Sequence, residues 1–311
     1  MKGMIKYDSY SHLLAYFRCD LLIVSHGIRD VMPTYYHNNL KKNTKELIYL
    51  QHGIVAMKKI FFHSKSYNGK IRKMVTSSRN ETGIFMKEMK FKKNQMLESG
   101  LIRYDYLEDT SKKEQEKIIF VMPTWREWLI SDKREFMNSD FYKYYSELLQ
   151  DERLNDYLIA NNMRIKMVPH IEIKMKYHDL FKADLSNIEF VDTSKESIQD
   201  LIKKSSLMIT DYSSVAFDFS YLNKPVIFYQ FDLPDYLYNR GSFIDLYTEL
   251  LGERVENYKD LKTEIELKIK NGFDIDEKYT SRMSKYFGHR DRHNFDRTYD
   301  GIKKMKTGGN K

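Results

Sequence analysis

Five short polar clusters stand directly behind apolar runs in this chain: Ser25-His26-Gly27, Gln51-His52-Gly53, Pro123-Thr124-Trp125-Arg126, Pro169-His170 and Asp211-Tyr212-Ser213-Ser214. Their residue types suit acid–base chemistry and the binding of anions. The imidazoles of His52 and His170 can each act as acid, base or neutral donor near pH 7, although a single His at a strand end is more often structural or solvated. Arg126, two residues past Thr124, has the planar fork that clamps a phosphate, and a loop Arg is also an ordinary surface charge. Asp211 to Ser214 read as a strand-to-helix turn whose N–H groups and the hydroxyls of Ser213 and Ser214 make an anion site. A plain Ser N-cap, worth about 1 kcal/mol, accounts for the same residues.

These clusters are positioned by an alternation of apolar runs and amphipathic stretches, the pattern of βαβ units and parallel sheets. The first series of runs is Leu21 to Ser25, Leu47 to Gln51 and Ile71 to Thr76, with a helical segment near Glu81 to Phe91. The second comprises Lys117 to Met122, a helical region Phe136 to Ala160, Arg164 to Val168, Ile188 to Val191, Ser206 to Thr210 and Pro225 to Tyr229. Helices start from about Ser197 and Ser214, and Val255 to Ile269 carries apolar residues at helical spacing. The polar stretch Tyr106 to Glu116 reads as a linker. The expected class is therefore α/β, with an N-terminal lobe over residues 1–108 and a C-terminal lobe over 109–311, two parallel sheets facing a central cleft. Ligands of open α/β sheets sit beyond the carboxyl ends of the strands, where all five clusters fall.

Composition narrows the function. The chain has 311 residues, 41% of them hydrophobic, and a lone Cys19 that requires no oxidising compartment. Its most apolar early stretch, Leu13 to Val24, is interrupted by Arg18 and Asp20, so the expectation is a cytoplasmic, unprocessed protein with no spanning helix. Residues 1–105 contain 19 Lys+Arg against 8 Asp+Glu, a net of +11, whereas residues 106–311 contain 33 against 36. A local basic excess points to an anionic partner, whether nucleic acid, phosphate-bearing polymer or anionic lipid, unless the lysines merely solvate helix faces. No RRM or KH signature accompanies the aromatic content, so nucleic acid is not expected. GxGxxG, P-loop and GxSxG motifs are absent too. Asp274-Ile275-Asp276 reads as a helix start, and His289 and His293 lack a third ligand at zincin spacing, so no metal site is expected. The end, Thr307 to Lys311, is expected to fray.

Between about Ile48 and Arg297 the chain resembles the CDP-glycerol glycerophosphotransferase family, the primases and polymerases of teichoic acids and related capsule polymers. The segments that carry the resemblance are YLQHGIVAMKKI, VTSSRNETGIFMKEMKF leading to Gly100 and RYDYL, VMPTWRE, MVPHIEI, ITDYSSVAFDFSYLNKPVIFYQFDLPDY and RGSFIDL. It implies a GT-B-like fold of two Rossmann-like lobes, the C-terminal one holding a CDP-activated alcohol and the N-terminal one facing a lipid-linked or polyol-phosphate acceptor. By position, His52 and His170 match the family's two active-site histidines. Thr124, Arg126, Asp211, Ser213, Ser214 and Arg240 match its donor phosphate-binding set. Ile54 stands where the family often has Thr, Ile102 to Asp105 where it often has Pro-Arg-Asn-Asp, and the N-terminal lobe is short. The implied reaction is transfer of a polyol phosphate with release of CMP, without metal or resident cofactor, on the inner face of an anionic bacterial membrane. The competing readings are a nucleotide-sugar glycosyltransferase on the same scaffold and a non-catalytic binder of anionic polymer or membrane.

Overall fold

The computed structural model describes residues 4–42, 44–129, 131–177, 180–181 and 183–307, without the side chains of 39–42 and 306–307. Two compact units emerge: Met1–Val55, Ile60–Tyr106 and Ser284–Lys311 form the first, and Ala56–Lys59 and Leu107–Met283 the second. Among the described residues each unit carries one parallel sheet, and no helix is long and apolar enough to cross a membrane.

In the first unit β1 (Leu21–Val24), β2 (Glu46–Tyr49), β3 (Ile71–Thr76) and β4 (Met96–Glu98) lie in sequence order. Leu47, Ile48, Met74 and Val75 are fully buried on the two central strands. The helix Arg79–Lys87 begins at Ser78, whose hydroxyl accepts the Glu81 N–H. It stops short of the expected Phe91, and Lys90 turns the chain with a φ of 61°.

The C-terminal segment from Ser284 packs with this unit rather than with the lobe 109–311 to which its sequence position assigns it. Its helix, Asn294–Thr307, starts on the Asp105 carboxylate, which accepts the N–H groups of Asn294 and Phe295 at 3.0 and 2.7 Å. A negative charge there caps the first turn and favours the positive end of the helix. Gly100, with a φ of 81°, leaves room for the Asn294 amide, which a Cβ would strike at 2.1 Å. Thr307 closes this helix, and residues 308–311 of the expected frayed end lie outside the described residues.

The second unit contains β5 (Lys117–Met122), β6 (Met163–Met167), β7 (Ile188–Phe190), β8 (Leu207–Thr210), β9 (Val226–Tyr229) and β10 (Glu253–Val255), in the order β10-β9-β8-β5-β6-β7. The apolar strands β5, β8 and β9 sit in the middle, as strands covered on both faces must. On β6 the side chains alternate. Met163, Ile165 and Met167 enter the core, while Arg164 and Lys166 pair with Glu116 and Glu196 outside it. Because β6 lies on one side of β5 and β8 on the other, the strand order reverses at β5, the place where open α/β sheets bind ligands.

Some expectations need correction. The helical region 136–160 is three helices, Lys133–Met137, Asp140–Gln150 and Glu152–Ala160. Ser139 and Asp151 interrupt it by capping the helix that follows each of them. The segment read as a linker is packed: Leu107 and Ser111 are buried, Thr110 N–H donates to Lys203 O at 3.0 Å, and Asp109 lies 3.5 Å from the Lys224 ammonium.

Candidate functional site

Beyond the carboxyl end of β2 the chain turns through Gln51, whose φ of 64° lies in the left-handed region, and then exposes His52. A non-glycine residue adopts that conformation when its surroundings impose it. Here the constraint is Glu81. One carboxylate oxygen accepts the Gln51 amide N–H at 3.1 Å and the Val55 N–H at 2.7 Å, and the other accepts the Ser77 N–H at 2.7 Å. Glu81 is 1% exposed. Burial pushes its carboxyl up to about 7, against the pull of the three N–H donors.

His52 Nδ1 lies 3.3 Å from the Ser25 carbonyl oxygen. A carbonyl can only accept, so Nδ1 carries the proton, and the lone pair of the neutral ring is on Nε2. That is the arrangement of a general base. The His26 ring stacks on it, with centroids 4.4 Å apart and planes within 8°, and the Tyr49 hydroxyl donates to the His26 carbonyl. Two of the clusters behind apolar runs, 25–27 and 51–53, thus form one site. Sequence reasoning selects His52, names His26 only as part of its cluster, and misses Glu81. Ser78 and Glu81 have the spacing of a helix-capping box, which hides the carboxylate's service to the His52 loop.

In the second unit the groups collect at the carboxyl ends of β5, β6 and β8. Thr124, Ser213 and Ser214 are partly exposed there. The Ser213 hydroxyl accepts the Val215 N–H at 3.3 Å, whereas the Thr124 Oγ1 and the Ser214 hydroxyl make no hydrogen bond among the described residues. His170 Nδ1 accepts the Glu172 N–H at 3.3 Å, which puts the ring proton on Nε2, and the ring stacks on Trp125 with centroids 5.3 Å apart. Burial lowers its pKa, opposed by Glu172 and aided by Lys58, so His170 is a neutral N–H donor near pH 7.

Lys58 is the cation that sequence reasoning misses, although it lies inside a segment quoted for the family resemblance. Burial and nearby Arg240 lower its pKa, against the pull of Glu127, with which Arg240 pairs at 2.7 Å. Its strand of chain is docked by Lys59 N–H to Gly241 O and Phe243 N–H to Ala56 O, both at 3.0 Å. Gly241 suits this place because its φ of 73° lies in the left-handed region, which L side chains rarely adopt. Lys58 and Arg240 therefore give the second unit cations, beside which His170 stands as a neutral donor.

Two expected donor contacts are framework instead. Arg126 is 2% exposed and each of its three guanidinium nitrogens is engaged. Nε and Nη2 hold Asp232 at 2.6 and 3.0 Å, and Nη1 holds Asp211 at 2.9 Å and the Thr124 carbonyl. The rings of Phe141, Tyr212, Phe231 and Tyr236 surround it. Burial works against its charge, but Asp211 and Asp232 hold it protonated well above the ordinary value. This guanidinium keeps no pair of N–H groups with which to clamp a phosphate in the expected bidentate way. Asp211 is fully buried as well, accepting the N–H groups of Thr124 and Tyr212 at 2.8 and 2.6 Å. Together the two residues fix the loops that present Thr124, Ser213 and Ser214.

The model of the CDP-Glycerol:Poly(glycerophosphate) glycerophosphotransferase family matches residues 1–304. The chain belongs to that family. It is 32% identical over 319 residues to the minor teichoic acid biosynthesis protein GgaB of Bacillus subtilis (strain 168), covering 96% of this chain and 34% of GgaB. It is 32% identical over 202 residues to the teichoic acid glycerol-phosphate transferase of Staphylococcus aureus (strain NCTC 8325 / PS 47), covering 59% of this chain and 48% of that protein. The chain thus spans between a third and a half of the length of these relatives.

Among solved structures, the wall teichoic acid polymerase TagF aligns with a TM-score of 0.69 at 20% identity, over 97% of this chain and 76% of that one. S. aureus MnaA in complex with UDP aligns with a TM-score of 0.55 at 13% identity, over 95% and 77%. These likenesses establish the α/β fold with parallel sheets, GT-B-like as expected. Within this family member the segment YLQHGIVAMKKI divides between the units: His52 falls in the first and Lys58 in the second. No group of three His, Cys, Asp or Glu suited to a metal ion occurs among the described residues.

Proposed function

We propose that this chain transfers a polyol phosphate, glycerol phosphate foremost, from a CDP-alcohol to a hydroxyl of a lipid-linked or polyol-phosphate acceptor, releasing CMP in the synthesis of teichoic acid or a capsule polymer. The observation that carries this reading is His52, an exposed imidazole at a strand end whose Nδ1–H is committed to Ser25 O, in a chain of this family. Its Nε2 takes the proton of the acceptor hydroxyl as the oxygen attacks the donor's β-phosphorus. The new P–O bond forms as the bond from that phosphorus to the bridging oxygen breaks, and CMP leaves with the bridging oxygen.

The second unit supplies the donor side. The Ser213 and Ser214 hydroxyls, Thr124 Oγ1, and the cations Lys58 and Arg240 suit a diphosphate, and the His170 Nε2–H donates to the departing phosphate. Phosphoryl transfer depends mostly on positioning and charge neutralisation, which these groups provide without a resident cofactor in this reading. A lipid-linked acceptor would bring the chain to the cytoplasmic face of the membrane.

The test is incubation with CDP-glycerol, CDP-ribitol and a UDP-sugar, each with a lipid-linked primer analogue, followed by nucleotide analysis and product mass. CMP release with a mass gain of one polyol phosphate is expected. Release of UDP with sugar transfer, or no turnover of any CDP-alcohol, overturns the reading.

A further inference from the structure

The other end of the first sheet has a different character. There the amino-terminal ends of β2 and β3, the turn ahead of β3 and the late part of the C-terminal helix border a groove of about 840 Å³. Seven of its fourteen lining residues are Lys or Arg, against a single carboxylate, Glu46, which already pairs with Arg72. Lys73 donates to Asn94 O at 2.6 Å, and burial together with the neighbouring Arg72 lowers its pKa. The ammonium groups of Lys65, Lys70 and Lys92 have no ion pair or hydrogen bond among the described residues.

Such crowding of like charge is unfavourable until an anion neutralises it. The groove is also separate from the candidate active site. β3 runs from Ile71, in the groove, to Thr76, next to Ser77 and Glu81, a span of roughly 16 Å at about 3.3 Å per residue.

We propose that this groove binds the phosphodiester backbone of the anionic acceptor, upstream of its reacting hydroxyl. The proposal rests on the reading above that the acceptor is a polyol phosphate. A single polyanionic chain fits the lining better than a membrane surface does. Alongside the cations stand the polar Ser64, Asn94 and Gln95; of the two apolar lining residues Ile71 is 1% exposed and Met305 is partly buried. Binding at a lipid interface relies on projecting apolar anchors, which a recessed polar groove does not present.

The test uses the full chain and its Lys65→Glu/Lys70→Glu/Lys92→Glu variant, with Lys195→Glu/Lys259→Glu/Lys270→Glu as a control of equal charge change in the second unit. Binding of a fluorescent glycerol-phosphate oligomer is measured over a range of salt concentrations, beside vesicles of phosphatidylcholine with and without phosphatidylglycerol. CMP release is followed with a primer carrying one polyol phosphate. The groove variant should lose at least tenfold in oligomer affinity and show a flatter salt dependence, while the control binds like the parent and both variants keep parental CMP release on the short primer.

Oligomer binding unchanged in the groove variant overturns the proposal. So does loss confined to the anionic vesicles, which would make the surface a membrane contact. If no CDP-alcohol is turned over but oligomer binding still depends on the groove lysines, the groove stands and the transferase reading fails.

Discussion

The loop carrying His52 and the loops carrying Thr124 and Ser214 are both held by a buried ionisable group, but the two anchors are balanced differently. Arg126 sits between Asp211 and Asp232 with aromatic rings around it, so each charge has a partner of opposite sign. Glu81 has three N–H donors and no cation paired with it among the described residues. Compensated charge holds Arg126 in one protonation state, whereas the Glu81 carboxyl is left to titrate near neutrality. The Arg126 anchor is accordingly insensitive to pH, and the first unit's base is mounted on a pH-dependent support.

The largest effect expected on this comparison comes from removing what Glu81 supports. His52→Ala should lower the rate of CMP release by about 10² to 10⁴-fold, the usual contribution of a general base. Donor affinity, measured by titration, should be unchanged. Turnover near that of the parent would detach His52 from the chemistry and reduce the Glu81 clamp to a stability device. Next in size, Arg126→Met should cost about 3–5 kcal/mol in denaturant unfolding, because it strands the buried Asp211 carboxylate and the partly buried Asp232. A loss of donor binding with unaltered stability would return Arg126 to the phosphate.

The unpaired anchor gives a smaller effect with a definite sign. The Glu81 carboxyl, ordinarily near 4.5, stands at about 7 in the folded chain, so between those values the folded state holds a proton that the unfolded state has released. Its contribution is complete below about 4.5 and is lost as pH rises through 7, a fall of about 3 kcal/mol. Unfolding curves recorded across that window for the parent and Glu81→Gln should therefore diverge, with the variant's dependence flatter. Parallel curves would mean that the three N–H donors outweigh burial and keep the carboxylate ionised throughout.

The same contrast governs what can be read from the residues alone. The continuous apolar runs KIIFVM, LMIT and VIFY mark β5, β8 and β9, because strands buried on both faces need no alternation. β4 and β10, of three residues each, are too short to show any period. The expected site residues follow strand ends, except Arg240, which stands at the end of the helix Leu233–Asn239. What the chain cannot disclose is the direction of a side chain's commitment: Arg126 following Thr124 looks like a phosphate clamp until two aspartates, 85 and 106 residues further on, prove to hold it. Glu81 is concealed by its local role at a helix start, and the placement of Asn294–Thr307 depends on Asp105, 189 residues earlier. Each of these facts is a long-range pairing of polar groups, which periodicity does not encode.

Ser214 provides the smallest and cleanest test of the paired frame. Its hydroxyl makes no hydrogen bond among the described residues, while the loop that bears it is fixed by Asp211 and Arg126. Replacing it should therefore leave stability alone and change only what the loop binds. One lost hydrogen bond is worth about 0.5–1.5 kcal/mol, or roughly two- to twelvefold in affinity. Ser214→Ala should weaken CDP-alcohol binding in calorimetric titration by a factor in that range, with the unfolding midpoint unmoved. If donor affinity is unchanged, the Asp211–Ser214 turn is an ordinary helix start, and the donor's diphosphate must rely on Lys58, His170 and Arg240. If stability falls instead, the hydroxyl belongs to the frame, and the division between groups that hold the loops and groups that face the substrate has been drawn one residue too early.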